Sequence, residues 1–260
     1  MPGQAPDTEG WVKNVTDEEK RQALWDVIEK SRHIVFFGGA GVSTESGIPD
    51  FRSEQGVFKA IQTYRHAPEK LLSIRFFEQD PTTFYAYYKA LLVCPDARPN
   101  AAHIALTQLE REGKLTAIVT QNIDGLHQLA GARNVLELHG SMLHNHCVTC
   151  EKQFSLAELL AQPGVPRCMC GGVVRPDIVL YGEELDRNVM EEAAWHIGDA
   201  DTLIVGGTSL AVYPAAGLLN HYRGKNLILI NKTPTPYDEL ASLVIREPIG
   251  RALGSALAAT

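Results

Sequence analysis

The segment from His33 to Arg52 constrains the chain more than any other, because it joins an apolar run directly to a turn rich in glycine. Ile34 to Phe37 is short and continuously apolar, which predicts a parallel strand covered on both faces. Gly38, Gly39 and Gly41 follow at once, and glycine lets the backbone turn sharply and bring its N–H groups against a pyrophosphate. We interpret the segment as the floor of a nucleotide site.

The glycines alone leave an ordinary glycine turn open as an alternative. The dinucleotide-binding fingerprint has a third Gly or Ala where this chain has Thr44. The fingerprint also places an acidic residue at the end of a second strand about 20 residues further on, and this sequence has none there. The assignment therefore needs support from other segments.

That support comes from four motifs in addition to Gly39 to Arg52, which reads GAGVSTESGIPDFR. This stretch closely resembles the signature of the sirtuins, the NAD-dependent protein-lysine deacylases. The resemblance continues at Gln121 to Asp124, at His139 and Gly140, in a four-cysteine cluster, and at Gly207 to Leu210. The motifs follow the family's order across roughly residues 30 to 250, so the chain is identified from its sequence as a sirtuin-like protein of bacterial type that uses NAD as a co-substrate.

Composition limits the classes of function that the chain can serve. The 260 residues carry a net charge of −7, which argues against a nucleic-acid-binding surface and mildly favours basic peptides as partners. The first ten residues have neither a cationic start nor an apolar core, and no apolar run approaches the length of a membrane span. We expect a cytoplasmic protein without a membrane partner.

Helices and apolar strands alternate along most of the chain, which predicts a mostly parallel sheet covered on both faces. The fold class is therefore α/β, a Rossmann-like doubly wound parallel sheet with a smaller zinc-ribbon and helical domain inserted. The predicted strands are 34–37, 116–119, 135–138, 202–205, 227–230 and 243–245. The predicted helices are 17–32, 101–112, a short one from 125, 188–197 and 215–222.

Two segments interrupt this alternation and predict a second domain. Residues 56–93 are helical and rich in aromatic side chains, which are expected to be core, and residues 141–174 carry the cysteines. We assign residues 15–55, 94–140 and 175–260 to the NAD-binding domain, and residues 1–14 to a flexible tail. The cleft between the domains is the expected ligand site, because ligands bind beyond the carboxyl ends of parallel strands.

Four of the five cysteines form two close pairs, and in a cytoplasmic chain they predict a metal site rather than disulfides. Four thiolates suit tetrahedral Zn²⁺ and leave no open position, so one structural Zn²⁺ is expected; four unrelated buried cysteines are the alternative. The second pair is separated by one residue where two are usual, which leaves the local turn uncertain. Cys94 is expected to be an inert buried thiol. The predicted ligands are Cys147, Cys150, Cys168 and Cys170.

His139 is the predicted general base. A lone histidine is usually a surface or core residue, and the chain has nine. The resemblance, however, implies a general base at a histidine that precedes a glycine and lies shortly before the first cysteine pair. An imidazole suits that role because its ordinary pKa lies near neutrality. His144 and His146 are expected at the surface.

The segment Gln121 to Asp124 follows a predicted strand directly. Asp124 could simply cap the next helix. The resemblance implies that Asn122 and Asp124 hold the nicotinamide carboxamide, with Asn122 part of the catalytic set, and that Gln121 contacts a ribose. The full set of cofactor-contacting residues that the resemblance implies is Gly39, Ala40, Gly41, Ser43, Asp50, Phe51, Arg52, Gln121, Asn122, Ile123, Asp124, Gly207, Thr208, Ser209 and Asn231.

The segment Val179 to Glu183 resembles the part of the family that pairs with an extended substrate peptide. The implied substrate-binding residues are Val179, Leu180, Tyr181, Gly182 and Glu183, with Tyr181 where the family usually has Phe. Sirtuins that remove acidic acyl groups resemble one another in a Tyr-x-x-Arg motif, and the comparable stretch Phe84 to Leu92 contains no arginine. Neutral acyl groups, acetyl first, are expected.

The expected function is NAD-dependent deacetylation of lysine side chains in proteins, with nicotinamide and O-acetyl-ADP-ribose as products. The nearest alternatives are a sirtuin-type mono-ADP-ribosyltransferase and a deacylase of longer acyl groups. An NAD-dependent dehydrogenase and a zinc-ribbon binding module without catalysis are more distant. The missing acidic residue and the segment Gln121 to Asp124 argue against the dehydrogenase, and the intact positions Asn122, Asp124 and His139 argue against the binding module.

Overall fold

A computed structural model describes residues 16–50 and 53–257. The predicted tail at residues 1–14 lies outside the described residues, as do Phe51 and Arg52. The strands are β1 (Ile34–Gly38), β2 (Leu115–Thr120), β3 (Val135–Glu137), β4 (Gly140–Cys147), β5 (Gln153–Ser155), β6 (Val174–Ile178), β7 (Thr202–Gly206), β8 (Asn226–Ile230) and β9 (Leu243–Ile245). The helices are α1 (Asp17–Lys30), α2 (Glu54–Tyr64), α3 (Pro68–Leu71), α4 (Ile74–Gln79), α5 (Pro81–Tyr87), α6 (Ala101–Arg111), α7 (Leu126–Leu129), α8 (Leu156–Leu160), α9 (Arg187–Asp199) and α10 (Ile249–Leu257).

Six strands form one parallel sheet in the order β3-β2-β1-β7-β8-β9. Numbered within this sheet alone, the order is 3-2-1-4-5-6, which is the doubly wound arrangement that the sequence predicts. The order reverses between β1 and β7, and in open α/β sheets a ligand crevice forms at this point, outside the carboxyl ends of the strands. The reversal therefore locates the site.

β1 shows why the sheet must be covered on both sides. All five of its residues are buried. Ile34 and Phe36 pack into a cluster with side chains of α1, α6 and α10, whereas Val35 and Phe37 pack on the opposite face with side chains of α9. Alternate side chains of a strand point to opposite faces, so an unbroken apolar run buries both.

Two predicted helices differ slightly from the structure. α1 begins with a capping box of Thr16 and Glu19, but it ends at Lys30 rather than at the predicted residue 32, because Ser31 is already extended. The Ser31 hydroxyl lies 2.6 Å from the Thr202 hydroxyl, which fixes this exit from the helix against β7. The segment predicted as a helix over 215–222 is a 3-10 helix, Ala215–His221.

The interrupting segments form what we call the small lobe: helices α2 to α5 and α8, and the antiparallel sheet β5-β4-β6. Its core is aromatic, as predicted, with Phe84, Tyr85, Tyr87 and Tyr88 all buried in one cluster. The same cluster includes Leu180, beyond the predicted boundary at residue 174. The exact division into two domains stays a prediction.

No helix in the ranges 16–50 and 53–257 has both the length and the apolar character needed to cross a membrane.

Candidate active site

The loops after β1 and β7 touch backbone to backbone at the reversal point of the sheet. The N–H groups of Gly39 and Gly41 donate to the carbonyl oxygens of Gly206, at 3.3 Å, and Gly207, at 2.8 Å. A Cβ on Gly41 would lie 2.7 Å from the Cα of Gly207, so no larger residue fits there. The expectation that these two N–H groups lie bare for a pyrophosphate is therefore wrong, because the glycines serve the close approach of two loops.

Three polar side chains from two loops form a continuous hydrogen-bonded chain. The amide of Asn122 donates to the Ser43 hydroxyl at 3.1 Å, and that hydroxyl donates to the Asp124 carboxylate at 2.7 Å. The second oxygen of Asp124 accepts the N–H of Leu126 at 2.9 Å. Asp124 thus lies one residue before Gly125, the N-cap of α7, and binds the first N–H of that helix while it also faces Ser43, so a contact with the helix end and a place in the site are compatible.

His139 is oriented by a backbone carbonyl. Its Nδ1 lies 2.8 Å from the oxygen of Gln121. A carbonyl oxygen can only accept, so Nδ1 carries the proton and the neutral ring keeps its lone pair on Nε2. The following Gly140 has φ of 71°, and a Cβ there would lie 2.1 Å from the carbonyl oxygen of Asp177. Gly140 therefore permits the close pairing of β4 with β6.

One cavity brings together most of the predicted site residues. Its lining includes Ala40, Ser43, Gln121, Asn122, Ile123, Asp124, His139, Val179, Leu180, Tyr181, Gly182 and Glu183. These residues come from the loops after β1, β2 and β6 and, for His139, from the position just before β4. The cavity therefore lies between the large sheet and the small lobe.

Other predicted residues lie outside this lining. Thr208 stands behind the wall, where its hydroxyl accepts from the Gln121 amide at 3.1 Å. Asn231 donates to the Thr233 carbonyl oxygen at 2.9 Å, and Ser209 is exposed. Asp50 follows the lining residue Pro49 in the chain but does not itself line the cavity.

The cavity also has two walls that the sequence reasoning missed. Apolar side chains of the small lobe form the first, and the stretch after Leu210 forms the second. That stretch directly follows a predicted motif at the carboxyl end of β7, so its position was a usable signal. The apolar wall had no such signal, because it depends on contacts between distant segments. The missed residues are Ile48, Pro49, Leu72, Leu91, Leu92, Met142, Ile178, Leu185, Val212, Tyr213 and Pro214.

The predicted substrate segment is anchored on one side. The N–H of Tyr181 donates to the Leu72 carbonyl at 2.9 Å, and the Tyr181 carbonyl accepts from Ile74 at 3.0 Å. Gly182 beside it is exposed, and its N–H has no hydrogen-bond partner among the residues that the structure describes.

The four predicted ligand cysteines converge in the small lobe. Their sulfur atoms all lie within 4.8 Å of one another. Cys147 and Cys170 are 3.4 Å apart, and Cys150 and Cys168 are 3.6 Å apart. A tetrahedral Zn²⁺ with bonds of about 2.3 Å separates its sulfurs by about 3.8 Å. The four thiols therefore fit a closed structural zinc site.

The short spacing of the second pair is absorbed by a tight turn. The N–H of Cys168 donates to Gly172 at 2.8 Å, and Gly171 has φ of 90°. His144 is exposed and His146 pairs with Asp177, so neither histidine joins the sulfurs. Cys94 is half-buried rather than buried, and burial together with nearby Asp124 raises the pKa of its thiol.

Comparison with known proteins agrees with this geometry. The profile of the Sir2 family matches residues 39–214, more than half of the chain. A protein of Clostridium perfringens (strain 13 / Type A) named NAD-dependent protein deacetylase is 57% identical over 242 residues, which cover 92% of this chain and 99% of the relative.

Solved structures show the same fold. One, described as "Structural Basis for the Mechanism and Regulation of Sir2 Enzymes", has a TM-score of 0.83 and 38% identity, and the match covers 94% of this chain and 98% of the other. Another, "Sir2 bound to acetylated peptide", has a TM-score of 0.79 and 35% identity over 92% of this chain and 97% of the other. The family resemblance predicted from the sequence is confirmed, and the chain belongs to the Sir2 family.

Proposed function

We propose that the chain is an NAD-dependent protein-lysine deacetylase, which moves the acetyl group of an acetylated lysine to ADP-ribose and releases nicotinamide. One observation carries the proposal: the Asn122, Ser43 and Asp124 chain, the oriented His139 and the segment from Val179 to Glu183 all line one cavity. A dinucleotide and an acylated side chain can meet only where both sets of groups are within reach.

Asn122 and Asp124 are the proposed partners of the nicotinamide carboxamide. An amide has two donor hydrogens and one acceptor oxygen, which a carboxylate and a second amide can satisfy together. Ser43 holds both side chains in place, at 3.1 Å and 2.7 Å. When bound, NAD supplies the ribose carbon that the acyl oxygen attacks and the nicotinamide that leaves. By the resemblance, Gly207, Thr208 and Ser209 contact the pyrophosphate, Asn231 the adenosine ribose, and Arg52 the phosphates or a ribose, while Phe51 shields the reacting carbon from water. Gly39, Gly41 and Asp50 are proposed to contact the cofactor as well, although the N–H groups of Gly39 and Gly41 are engaged by the facing loop.

His139 is the proposed general base. Because the Gln121 carbonyl holds the proton on Nδ1, Nε2 is the atom that accepts a proton from a ribose hydroxyl. A base needs this lone pair within hydrogen-bond reach of the proton that it takes. The carbonyl also stabilises the imidazolium that results, since it accepts a charge-assisted hydrogen bond.

The substrate peptide is proposed to bind along Val179 to Glu183. The exposed Gly182 N–H offers an unused donor, and pairing through the backbone gives affinity with little dependence on sequence. Apolar residues such as Leu92 and Met142 line the same cavity, so a neutral acyl group is the proposed cargo. Acetyl is the first candidate, and longer neutral chains are the second.

The cysteines, the domain division and the location complete the proposal. One Zn²⁺ held by four sulfurs has no free coordination position and supplies structure rather than chemistry. The residues 56–93 and 141–174 are proposed as the small domain and the rest as the NAD-binding domain. We also propose a cytoplasmic protein whose partners are acetylated proteins, without nucleic-acid or membrane partners.

Mass analysis of an acetylated peptide incubated with the protein and NAD tests the function. We expect the peptide to lose the mass of its acetyl group. An added ADP-ribose would instead support the ADP-ribosyltransferase alternative, and an unchanged peptide would refute both.

The His139→Ala variant tests the assigned base. We expect it to lose acetyl removal by at least about a hundredfold, the usual size of a general-base effect, while NAD binding persists. His144→Ala is the matched control, because His144 is exposed on β4, the strand that begins directly after His139. Unchanged turnover in His139→Ala would remove His139 from the mechanism.

A further inference from the structure

An ion pair spans the segment that is proposed to receive the substrate peptide. Arg175, within β6, meets Glu183 through two parallel contacts, from Nη1 to Oε1 at 2.8 Å and from Nη2 to Oε2 at 2.8 Å. The two side chains are only 15% and 25% exposed. This fork-to-fork geometry is the strong, directional form of a charged hydrogen bond.

Both partners of the pair also hold backbone groups of the intervening segment. The guanidinium donates to the carbonyl of Ile178 at 3.1 Å. The carboxylate of Glu183 accepts the N–H of Leu180 at 2.8 Å. The pair therefore fixes the backbone at two points between its own ends, and it closes residues 175–183 into a loop of set shape.

The surroundings of the pair keep it charged and in place. The guanidinium lies 5.7 Å from the centroid of the Phe77 ring, in the core of the small lobe. Burial would raise the pKa of Glu183, but hydrogen bonds from Arg175 and Leu180 outweigh burial and lower it. The hydrogen bond with Glu183 likewise raises the pKa of Arg175.

Three anchors set the shape of the segment, and the ion pair is the one that depends on side chains. Val179 donates its N–H to the His139 carbonyl at 2.9 Å, and Tyr181 donates to Leu72 at 2.9 Å. Leu180, between them, donates to Glu183. With these three N–H groups turned toward the protein, the exposed N–H of Gly182 is left for an incoming strand.

We propose that Arg175 and Glu183 form a positioning pair, which holds residues 178–183 in the conformation that binds the substrate peptide. The inference rests on the proposed function. It revises the expectation for Glu183, because both carboxylate oxygens are engaged by Arg175 and Leu180. Glu183 acts through the backbone rather than by touching the peptide.

The test is the Glu183→Gln variant, which keeps the size of the side chain but removes the charge. A neutral amide cannot accept both arms of the guanidinium, so the segment loosens. We expect the KM for an acetylated peptide to rise about tenfold, the usual scale for a charged hydrogen bond. The KM for NAD and kcat should stay within about twofold, because the pair touches neither the Asn122 cluster nor His139.

Two further variants sharpen the result. Arg175→Lys keeps the charge but presents a single point donor in place of the fork, so its peptide KM should lie between those of the wild type and Glu183→Gln. Glu191→Gln is the matched control, because Glu191 makes an exposed ion pair with Arg187 at 3.1 Å on α9. The control should leave both KM values unchanged. An unchanged peptide KM in Glu183→Gln, or equal rises in both KM values, overturns the proposal.

Amide hydrogen exchange separates this proposal from the proposed function. In Glu183→Gln the Leu180 amide should exchange faster, because it loses a charged acceptor, whether or not the protein deacetylates any peptide. If the Leu180 amide exchanges faster in Glu183→Gln but the wild-type protein removes no acetyl group, the positioning role of the pair is supported and the proposed function is refuted. Unchanged exchange at Leu180 would sink the positioning role itself.

Discussion

The large sheet and the small lobe are held together by different means. The sheet buries aliphatic side chains on both faces, in two clusters that run along its length. The small lobe has one cluster, built on rings such as Phe84 and Tyr85, whose centroids are 5.2 Å apart. The lobe also contains the cluster of four sulfur atoms from its two cysteine pairs. No apolar side chain can take the place of these metal-binding sulfurs.

This difference indicates which changes should destabilise each part of the molecule. Stability of the sheet is distributed over many apolar contacts, so most single changes remove only a small share. The small lobe depends on a few point attachments: the sulfur cluster, the Arg175 and Glu183 pair, and the hydrogen bond from the Tyr85 hydroxyl to Val174. Loss of the sulfur cluster should therefore disorder the lobe and spare the sheet, whereas loss of the ion pair should loosen only residues 178–183.

The largest expected effect comes from the metal site. Structural zinc contributes about 10 kcal/mol or more to the folding of small domains. Cys168→Ser, or treatment with a strong chelator, should therefore abolish peptide deacetylation and expose amides of the small lobe to hydrogen exchange. The parallel sheet should keep its protection, because its clusters contain none of the four cysteines.

Cys94→Ser is the control for that experiment. Cys94 is half-buried and lies apart from the four sulfurs, so this variant should keep its zinc and its activity. If the sheet and the lobe lose protection from hydrogen exchange together, the proposed difference between them is wrong, since the two parts would then unfold as one.

A second prediction concerns a place where the sheet also depends on a close contact at a single residue. Gly207 has φ of 60°, and a Cβ there would lie 2.4 Å from the nitrogen of Val42 and 2.6 Å from the carbonyl carbon of Gly41. Both neighbours are backbone atoms that cannot yield separately. Gly207→Ala should lower the free energy of unfolding by several kcal/mol, about 1–3 of it from backbone strain and the rest from overlap. NAD affinity should fall with it, because the two loops separate.

Gly47→Ala isolates the strain component. Gly47 has φ of 84°, but nothing lies within 4 Å of its Cβ position. Chemical denaturation should show a loss of only about 1–2 kcal/mol for this variant, the cost of a left-handed conformation for a residue with a Cβ. Equal losses in the two variants would mean that the contact between the loops adds nothing.

The sheet could be predicted from the sequence and the small lobe only in outline, for the same physical reason. The runs at Ile34 and Leu203 are continuously apolar because both faces of the sheet are buried. Such runs can be located directly in the sequence. β4 carries adjacent polar residues such as His144 and Asn145, so polar and apolar side chains do not alternate regularly along this strand. Its pairing with β6 depends on contacts between distant segments, which periodicity does not report.

The residues of the site likewise divide into those that could be predicted from the sequence and those that could not. Side chains at strand ends, such as Asn122 and His139, could be found because a strand and a motif together fix their place. The part played by Glu183 could not be predicted, since its partner Arg175 lies eight residues earlier, and nothing in the spacing links them. The use of the Gly41 N–H was misread because the partner loop, at Gly207, is distant in sequence.

The last prediction is a pH dependence of stability that arises from α6 and α7, the helices that carry His103 and His127. The rings of His103 and His127 lie against each other at an angle of 56°, with centroids 4.7 Å apart. Burial lowers the pKa of His103 from 6.5 to about 4 and, aided by His103, that of His127 to about 3. Below about pH 6.5 the unfolded chain takes up protons that the folded chain excludes, so stability falls as the pH falls. The expected slope is about 1.4 kcal/mol per pH unit for each histidine.

Denaturation at pH 6.5 and pH 5 should therefore show a loss of about 2 kcal/mol for each of the two histidines. His127→Leu should remove about half of this loss. It should cost little at pH 6.5, because neither ring nitrogen of His127 has a hydrogen-bond partner among the described residues. His221→Gln, at an exposed position, should leave the slope intact. If His127→Leu keeps the full slope, the loss in acid comes from groups other than His127, and the assignment is wrong.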